Sequence, residues 1–521
     1  MYVYDNPNIR SLNLPFFRWA FLDFYASNWH PLTWISHALD YAFWGLNPVG
    51  HHLTSNMLHA VNAFIVVVLV TRLLEAWKGN AAIDVPALLP DRRAIFITAG
   101  ATGLLFGIHP IHVESIAWVA ERKDLLCAMF FLLSMIWYSK YVSDTEQNTG
   151  SRFLNKQYLF SAGFFILALL SKPMAVTLPA VLLILDWHPF NRIRSMKLFY
   201  SAFAEKLPFF VLSLLSSALT ILAQNAGGSV STAAPLPARV FVAGKAIVAY
   251  LGKTVLPLNL IPFYPYPANQ ELFSFEYLSS IVLVLGITAV CLLFSKKHRI
   301  FLSVWGYYVL TLLPVLGIIQ VGRQSMADRY AYLPSLGPFL ITGLLAAWIM
   351  NQMRAMQKGA LIAKLIALAT AVLVLGQLSF LTLKQIHVWK DSLTLWTYVI
   401  EKEPGQVPFA HNNLGIAYDS LEMHDRAIEQ YQLAIGLKPD YAAAHNNMGN
   451  AYLYLKRFDR AIEQYQIAVN LKPGYANPHY NLGVAYYKMG DMERARTELR
   501  TALKIRPDYE RARMLMTEVS N

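Results

Sequence analysis

The chain has 521 residues, of which 55% are hydrophobic and 15% are charged, and its formal net charge is +12. In soluble domains about a quarter of the residues are charged, so this composition excludes an ordinary soluble protein and indicates several membrane spans. From Leu383 onward 17 basic residues stand against 16 acidic ones, so nearly all the positive charge belongs to the first 382 positions. Basic residues beside apolar segments indicate the topology of a membrane protein. We therefore do not attribute the positive charge to nucleic-acid binding, and we expect no nucleic-acid partner. Cys127 and Cys291 lie in apolar runs and predict no disulfide framework.

A polar and aromatic segment, residues 1–53, opens the chain, and we expect it to form a loop on the external, non-cytoplasmic side. Apolar runs follow, with lengths near the ~20 residues that span a bilayer. These runs predict a transmembrane domain over residues 54–382, an all-α polytopic bundle of about ten spans. They lie at 54–75, 94–108, 124–142, 157–172, 174–188, 207–223, 275–295, 300–318, 331–352 and 360–382.

Clusters of Lys and Arg orient these spans, because such residues accumulate on the cytoplasmic side. The clusters follow the first, third, fifth, seventh and ninth runs, and they share one side only if a further run at 239–258 does not cross. Lys245 and Lys253 interrupt that run, so we predict an interfacial or re-entrant helix there. The loops around 109–123, 224–274 and 319–330 then face the external side, together with the C-terminal tail.

The tail repeats itself with a period of 34 residues. "AHNNLGIAYDSLEMHDRAIEQYQLAIGLKPDY" returns as "AHNNMGNAYLYLKRFDRAIEQYQIAVNLKPGY" and again as "PHYNLGVAYYKMGDMERARTELRTALKIRPDY". This is the tetratricopeptide spacing, in which each unit is a helix–turn–helix that buries its apolar face by stacking on its neighbours. We therefore predict repeats at 408–441, 442–475 and 476–509, a linker and degenerate half-repeat at 383–407, and a capping helix at 510–521.

Polar side chains on the predicted external side are the candidate functional residues, since ionisable groups in or beside spans are costly. The stretch "GIHPIHVESIAWVAERKD" at 107–124 contains His109, His112, Glu114 and Arg122. One interpretation is an interfacial helix with its charges in water. The other is a pocket for an anionic headgroup or a metal. His-x-Glu is a weak metal motif, so the need for a divalent metal stays open.

Further basic and imidazole groups stand on the same predicted side. They are His30 in "ASNWHPLTW", Lys172 in "LSKPMAVTLP", and Arg323, Arg329 and Tyr332 in "VGRQSMADRYAYLPS". Singly, such residues are often structural, since histidines settle at interfaces and long cationic side chains reach toward headgroups. Together on one face of a bundle they have the chemistry that binds phosphate, and a lipid-linked phosphate donor fits such a site.

The ordered set of motifs resembles a known family. "NWHPLTWISHALDYAFWGLNP", "GHHLTSNMLHA", "HPIHVESIAWVAERKDLL", "SKPMAVTLP" and "ADRYAYLPS", followed by tetratricopeptide repeats, are similar to bacterial relatives of the transmembrane and tetratricopeptide repeat O-mannosyltransferases. The resemblance implies a GT-C-like enzyme that moves a mannose-like sugar from a polyprenyl-phosphate donor to a protein Ser or Thr on the external side. It also implies a bacterial inner membrane with the repeats on the periplasmic side.

Roles for individual residues follow from this resemblance. Glu114 is expected to be a carboxylate near the acceptor or a metal, with His112 and His109 in the same site. Arg329 and Arg323 are expected to clamp the lipid phosphate, with Lys172 and Arg122 behind them, and His30 and Tyr332 beside it. Asp328 is expected to orient Arg329. The family keeps an acidic pair in its first external loop, after a first span, and this sequence shows neither. Either both precede Met1, or the chain is a non-catalytic member.

The repeats carry asparagines at matching positions of their first helices. Asn412 and Asn413, Asn446 and Asn447, and Tyr480 and Asn481 form this series. Amides on a concave surface bind extended peptides, which predicts a site for an acceptor or partner protein. The other interpretation is that they bond neighbouring helices. The alternative function for the whole chain is a non-catalytic, membrane-anchored scaffold whose repeats recruit partners.

Overall fold

A computed structural model describes residues 2–4, 6–79, 91–145, 154–226, 235–266, 274–318, 324–356, 359–403 and 407–520. Arg323, a predicted phosphate clamp, lies outside these residues. The chain forms two compact units, Met1–Ile386 and His387–Asn521. Across the described residues the secondary structure is helical except for two short antiparallel strands, β1 (Tyr264–Pro265) and β2 (Gln324–Met326). The predicted all-α class is confirmed.

The first unit contains long apolar helices joined by short polar turns. Its helices are α1 (Leu14–Leu22), α2 (Pro31–Trp44), α3 (Pro48–Gly79), α4 (Arg92–Ile108), α5 (Val113–Ala117), α6 (Arg122–Thr145), α7 (Lys156–Ser171), α8 (Leu178–Trp187), α9 (Met196–Ala226), α10 (Leu236–Val255), α11 (Phe275–Phe294), α12 (Arg299–Leu312), α13 (Leu336–Ala355) and α14 (Ala360–Val388). Single 3₁₀ turns lie at Pro7–Arg10, Pro110–His112, Val119–Glu121, Pro173–Thr177, Leu313–Val315 and Asp328–Ala331.

Six helices of the described chain are long and apolar enough to cross a membrane, so the protein is an integral membrane protein. They are α3, α6 with the preceding turn, α9, α11, α13 and α14. The pair formed by α4 and Pro110–Ala117 would make a seventh, bent by 51°, while α7, α8 with its preceding turn, and α12 with the turn after it are shorter apolar helices. The α10 helix, which covers the run predicted to be interfacial, does not meet these criteria.

Prolines end two helices where the candidate site begins. Proline restricts the residue before it to extended backbone. His109 therefore stops α4 ahead of Pro110, with φ −74° and ψ 131°. Lys172 likewise stops α7 ahead of Pro173, with φ −158° and ψ 135°. Both breaks turn the chain back along the end of the bundle and place polar side chains there.

The core of the first unit lies between α3, α4, α6, α7, α8 and α13, around fully buried Phe106, Phe131 and Phe165. A glycine permits a close approach of two helices in this core. A Cβ at Gly343 of α13 would lie 2.6 Å from the carbonyl oxygen of Thr98 in α4. Only a residue without a side chain fits at this contact, so Gly343 sets the packing of α13 on α4.

A network of buried charges ties together α6, α8 and α9. Asp186 and Glu205 face Arg192 and Lys206, which gives two carboxylates and two cations. The Tyr138 hydroxyl lies 2.8 Å from Asp186 Oδ1 and 3.0 Å from Glu205 Oε1, and Arg192 Nη1 donates to it at 2.6 Å. Because the charges balance and are hydrogen-bonded, the network meets the condition under which buried ions are tolerated.

The second unit is a stack of paired helices. The pairs are α16 (Pro408–Ser420) with α17 (His424–Leu437), α18 (Ala442–Tyr454) with α19 (Phe458–Leu471), and α20 (Ala476–Met489) with α21 (Met492–Ile505). The first helices begin at 408, 442 and 476, the starts of the three predicted repeats. α15 (Ser392–Lys402) precedes the stack within the predicted half-repeat, and α22 (Glu510–Ser520) follows it.

We expect Gly449→Ala to destabilise this stack by about 1–3 kcal/mol, because it overpacks a full core. A Cβ at Gly449 would lie 2.5 Å from Cε1 of the fully buried Tyr465. Gly436→Ala in α17 is the matched control, since a Cβ there meets nothing within 4 Å. Thermal unfolding of the whole chain in detergent compares the two. Equal melting temperatures would show that Gly449 does not set the helix spacing.

Candidate functional site

A cavity of about 700 Å³ lies in the first unit. Its walls come from residues 26–30, the start of α6, the turn Pro173–Thr177, α9, the end of α12 and the segment around β2. Among the described residues, its charged lining consists of Lys123, Lys172, Arg329 and Glu121. The cavity wall thus carries three cations and one carboxylate, and it favours an anion.

Two carboxylates behind the wall hold these cations in place. Arg329 donates from Nη1 to Glu114 Oε1, and its backbone N–H donates to Glu114 Oε2 at 3.0 Å. Lys172 donates to Asp124. Both Glu114 and Asp124 are buried. Salt-bridged and hydrogen-bonded in this way, the cations have fixed positions before any ligand arrives.

Glu121 lies at the centre of the cationic group. Its Oε1 is 3.1 Å from Lys123 Nζ and 3.5 Å from Arg329 Nε, and its Oε2 is 3.5 Å from Lys172 Nζ. Three cations therefore share one carboxylate, and each cation keeps N–H donors for a further acceptor. An entering phosphate would meet a convergent set of ammonium and guanidinium groups.

Aromatic rings contact the cationic groups of Arg329 and Lys172. The Arg329 guanidinium lies 4.8 Å from the ring centroid of Tyr330 and 5.3 Å from that of Trp118. Lys172 Nζ is 5.4 Å from the Tyr330 centroid. Cation–π contacts of this kind restrict long side chains. Burial opposes the charge on Arg329, but Glu114, Tyr330 and Glu121 outweigh it and hold its pKa well above the ordinary value.

The structure brings together three of the predicted phosphate ligands, Lys172, Arg329 and His30. His30 differs from the expectation in its charge. Burial first, and Lys123 and Lys172 next, lower its pKa to about 3, so the ring is neutral. Its Nε2 lies 3.2 Å from Asn28 Oδ1. Because an amide oxygen only accepts, Nε2 carries the hydrogen and Nδ1 is left as an acceptor.

Arg122 is not brought to the cavity, contrary to the expectation. Its side chain is fully buried, with Nη1 2.5 Å from Asp40 Oδ2 and Nη2 donating to the His51 carbonyl at 2.7 Å. The next residue, Lys123, lines the cavity instead. Successive residues at the start of a helix point about 100° apart, so only one of the two reaches the cavity.

His109, His112 and Tyr332 also lie away from the cavity lining, because the helix core encloses them. His112 Nδ1 donates to the Phe106 carbonyl at 2.8 Å, and its Nε2 lies 2.9 Å from Ser335 Oγ. His109 Nδ1 accepts from the backbone N–H of Ile111 at 3.2 Å. The Tyr332 hydroxyl bonds His59 Nδ1 at 2.7 Å. These three side chains tie α3 and α4 to the segment before α13.

Asp328 does not orient Arg329 as expected. Among the described residues the carboxylates paired with Arg329 are Glu114 and Glu121. Asp328 Oδ1 accepts from the Tyr264 hydroxyl at 2.7 Å. Burial, and then the charge of Glu114, raise the pKa of Asp328 to about 8, against the opposing effects of Lys253, Tyr264 and Arg329. The group is therefore protonated at neutral pH.

This pKa predicts a stability that falls with rising pH. The ordinary pKa of Asp is about 3.9, so between about pH 4 and about pH 8 the folded chain binds a proton that the unfolded chain releases, and stability falls as pH rises through this range. We expect the melting temperature of the Asp328→Asn variant, whose amide still accepts from Tyr264, to match the native one near pH 4 and to exceed it by a growing margin up to about pH 8. A difference that does not change with pH would contradict the assignment.

Sequence reasoning missed Glu121, Lys123 and Asp124 as site residues. All three stand in the quoted "ERKD" segment, and a signal was present, because Glu121 and Asp124 are three apart and share a helix face. Within the described part of the chain, no group of three His, Cys, Asp or Glu side chains is placed to hold a metal ion.

The repeat asparagines form a ladder between successive units. Asn447 Nδ2 donates to Asn412 Oδ1 at 3.0 Å, and Asn481 Nδ2 donates to Asn446 Oδ1 at 2.9 Å. Asn412 and Asn446 are buried, whereas Asn447 and Asn481 are half-buried. These bonds agree with the second interpretation of the asparagines, in which the amides form hydrogen bonds between neighbouring helices. Asn413 and Tyr480 are half-buried too, and Tyr480 lies 5.0 Å from Tyr509, ring to ring.

Family models match the C-terminal repeats. A family model described as TPR repeat matches residues 420–456 and 449–490, and one described as tetratricopeptide repeat matches 476–509. Among solved structures, the crystal structure of MamA is 24% identical over 24% of this chain and 74% of its own, with a TM-score of 0.23. The first TPR of Spaghetti (RPAP3), bound to an HSP90 peptide, is 23% identical over 22% of this chain and 92% of its own, with a TM-score of 0.22.

Curated relatives match both parts of the chain. Protein O-mannosyl-transferase tmtc2 of Xenopus laevis is 30% identical over 188 residues, 36% of this chain and 20% of its own length. Protein O-mannosyl-transferase Tmtc3 of Drosophila melanogaster is 22% identical over 460 residues, 79% of this chain and 49% of its own length. The matches thus span less than half of either relative. With its apolar helices and its C-terminal tetratricopeptide repeats, the chain is thus a membrane protein that is similar in part of its sequence to the TMTC protein O-mannosyl-transferases.

Proposed function

We propose that the protein is an integral-membrane glycosyltransferase that moves a mannose-like sugar from a polyprenyl-phosphate donor to a protein Ser or Thr hydroxyl. The observation that carries the proposal is the cavity with Lys123, Lys172 and Arg329 on its wall. The names of the curated relatives support the reaction class. The cations bind the donor phosphate, and they stabilise the charge that develops on it as the sugar leaves.

The reaction in this proposal is a displacement at the anomeric carbon. The acceptor oxygen forms a bond to that carbon, the bond from carbon to phosphate oxygen breaks, and the phosphate leaves with the electron pair. Glu121 takes the acceptor proton, because it is the carboxylate of this group that lines the cavity. When phosphate draws Lys123 and Lys172 toward itself, the proton affinity of Glu121 rises. Glu114, held by two hydrogen bonds from Arg329, is a positioning residue.

The lining of the cavity also suits the lipid part of such a donor. Apolar side chains of the turn after α7, of α9 and of the end of α12 contribute to its wall, namely Met174, Val176, Ala180, Ile221, Leu310, Leu313 and Val315. An isoprenoid chain gains free energy by leaving water for such a surface. One cavity thus offers a cationic end for phosphate and apolar side chains for the lipid.

The proposed setting is a bacterial inner membrane, with the cavity and the repeats on the external side. Basic clusters at the other ends of the spans support this orientation, among them Arg92 and Arg93 at the start of α4, and Lys296, Lys297 and Arg299 at the start of α12 or just before it. The repeats then bind the acceptor or a partner protein on the side where the sugar is transferred. The ladder of Asn447 and Asn481 supports the stack that presents this surface.

A transfer assay tests the proposal. The full chain is reconstituted in liposomes with radiolabelled polyprenyl-phosphate mannose and membrane-protein acceptors, and alkali-labile label on protein is measured. We expect transfer by the native chain and at least a tenfold loss with Lys123→Gln or Lys172→Gln, because each removes a phosphate contact. Lys296→Gln, which removes an exposed cation outside the cavity, is the control. No transfer by any form, with intact partner capture by the repeats, would favour the scaffold.

A further inference from the structure

A second wall of the cavity is polar but uncharged. It consists of Asn28, His30, Ser217, Thr220 and Gln224, here called the amide–hydroxyl wall. Ser217, Thr220 and Gln224 are spaced by three and four residues, so they share one face of α9. This helix is long enough, and over most of its length apolar enough, to cross the membrane. Polar side chains on a spanning helix are costly unless they face a cavity or a partner, and these face the cavity.

Hydrogen bonds fix the direction of the groups on this wall. Asn28 Oδ1 accepts from Gln224 Nε2 at 3.3 Å and from His30 Nε2 at 3.2 Å. Asn28 Nδ2 donates to the Tyr2 hydroxyl at 3.1 Å. Thr220 Oγ1 donates to the Ser216 carbonyl at 2.7 Å, which leaves its oxygen as an acceptor. The donors of Asn28, His30 and Thr220 thus bond within the protein, and the Thr220 oxygen stays able to accept from a ligand.

His30 gives the wall an orphaned acceptor. The side chain is 4% exposed, and its Nδ1 has no hydrogen-bond partner among the described residues. A buried polar atom without a partner costs free energy, and a ligand hydroxyl would satisfy it. Burial and the neighbouring lysines keep the ring neutral at physiological pH. A neutral acceptor beside two ammonium groups suits a hydroxyl that is attached close to a phosphate.

We infer that the amide–hydroxyl wall binds the hydroxyl groups of the sugar on the lipid-linked donor. This inference rests on the proposed function, because it takes the donor phosphate to lie at Lys123, Lys172 and Arg329. The sugar is bonded directly to that phosphate and therefore occupies the space next to these cations. A cavity of about 700 Å³ is in the range that holds a drug-sized ligand, so room remains beside the phosphate. Acceptors and amides that converge on hydroxyl groups give a site its selectivity.

Binding of two probes to the full chain in nanodiscs tests this inference. The probes are polyprenyl methyl phosphate and polyprenyl-phosphate mannose, two phosphodiesters of equal charge of which only the second carries a sugar. We expect the mannose-bearing probe to bind the native chain about tenfold more tightly, the result of one to two added hydrogen bonds. Gln224→Leu should lower this affinity ratio by roughly three- to tenfold, and Ser217→Ala should lower it less, while both variants keep the affinity for polyprenyl methyl phosphate.

The matched control is Gln377→Leu, the same substitution at an exposed position of the spanning helix α14. Its ratio should equal the native one. Equal affinities of the native chain for the two probes would overturn the inference and leave the phosphate site standing. A loss of both affinities in Gln224→Leu would overturn it as well, since the residue would then act through the fold. If neither probe binds the native chain, the proposed function itself fails.

Discussion

Arg329→Gln is expected to lower sugar transfer by at least 100-fold and to destabilise the protein by about 3–5 kcal/mol. The first effect follows from the loss of a guanidinium that faces the phosphate. The second follows because Glu114, which is 2% exposed, loses the cation that pairs with it and becomes an unpaired buried charge. Transfer in liposomes and thermal unfolding in detergent measure the two effects separately.

The double variant Glu114→Gln/Arg329→Gln separates these two roles. Replacing both partners removes the uncompensated charge, so we expect most of the stability to return while transfer stays low. Glu114→Gln alone should keep the fold and release Arg329 from its position, which lowers transfer by roughly tenfold. Recovery of transfer in the double variant would contradict the role given to Arg329.

Lys206→Met is the second change with a large expected effect. Lys206 is fully buried and lies 2.9 Å from Glu205 Oε1, and it also contacts Asp186. Without it two carboxylates share Arg192 alone, and we expect a loss of about 3–5 kcal/mol in the free energy of unfolding. The melting temperature in detergent checks this. Lys197→Met, at an exposed position about two and a half turns earlier on α9, is the control and should have the melting temperature of the native chain.

Compensation in the same network gives a sharper check. Asp186→Asn combined with Lys206→Met again balances one carboxylate with one guanidinium, so we expect it to recover a large share of the loss. If the double variant is less stable than Lys206→Met, the charges are not what holds α6, α8 and α9 together at this point. Packing around Tyr138 would then be the stronger contribution.

Periodicity and hydropathy predicted the helices well, because both depend on residues close together in the sequence. The repeats at 408–509 follow from a period of 34, and the apolar runs follow from bilayer thickness. The predicted runs that end at 108 and 172 also stop next to the breaks that the structure shows before Pro110 and Pro173. These features need no knowledge of which helices touch.

The pairing of the charges needed the tertiary structure. Arg122 and Lys123 are equally basic in the sequence, but the direction of α6 sends one to Asp40 and the other to the cavity. Glu114 and Arg329 are 215 positions apart, and their ion pair depends on how α5 meets the segment after β2. The neutral state of His30 depends on burial and on two lysines from other parts of the chain.

An experimental structure of the full chain in nanodiscs with added polyprenyl phosphate tests the central claim most directly. We expect density for the phosphate within hydrogen-bond distance of Lys123, Lys172 and Arg329, with the isoprenoid chain leaving along the apolar side chains of α9. Density for the lipid only at the outer surfaces of the spanning helices, with the cavity empty at saturating polyprenyl phosphate, would contradict the claim.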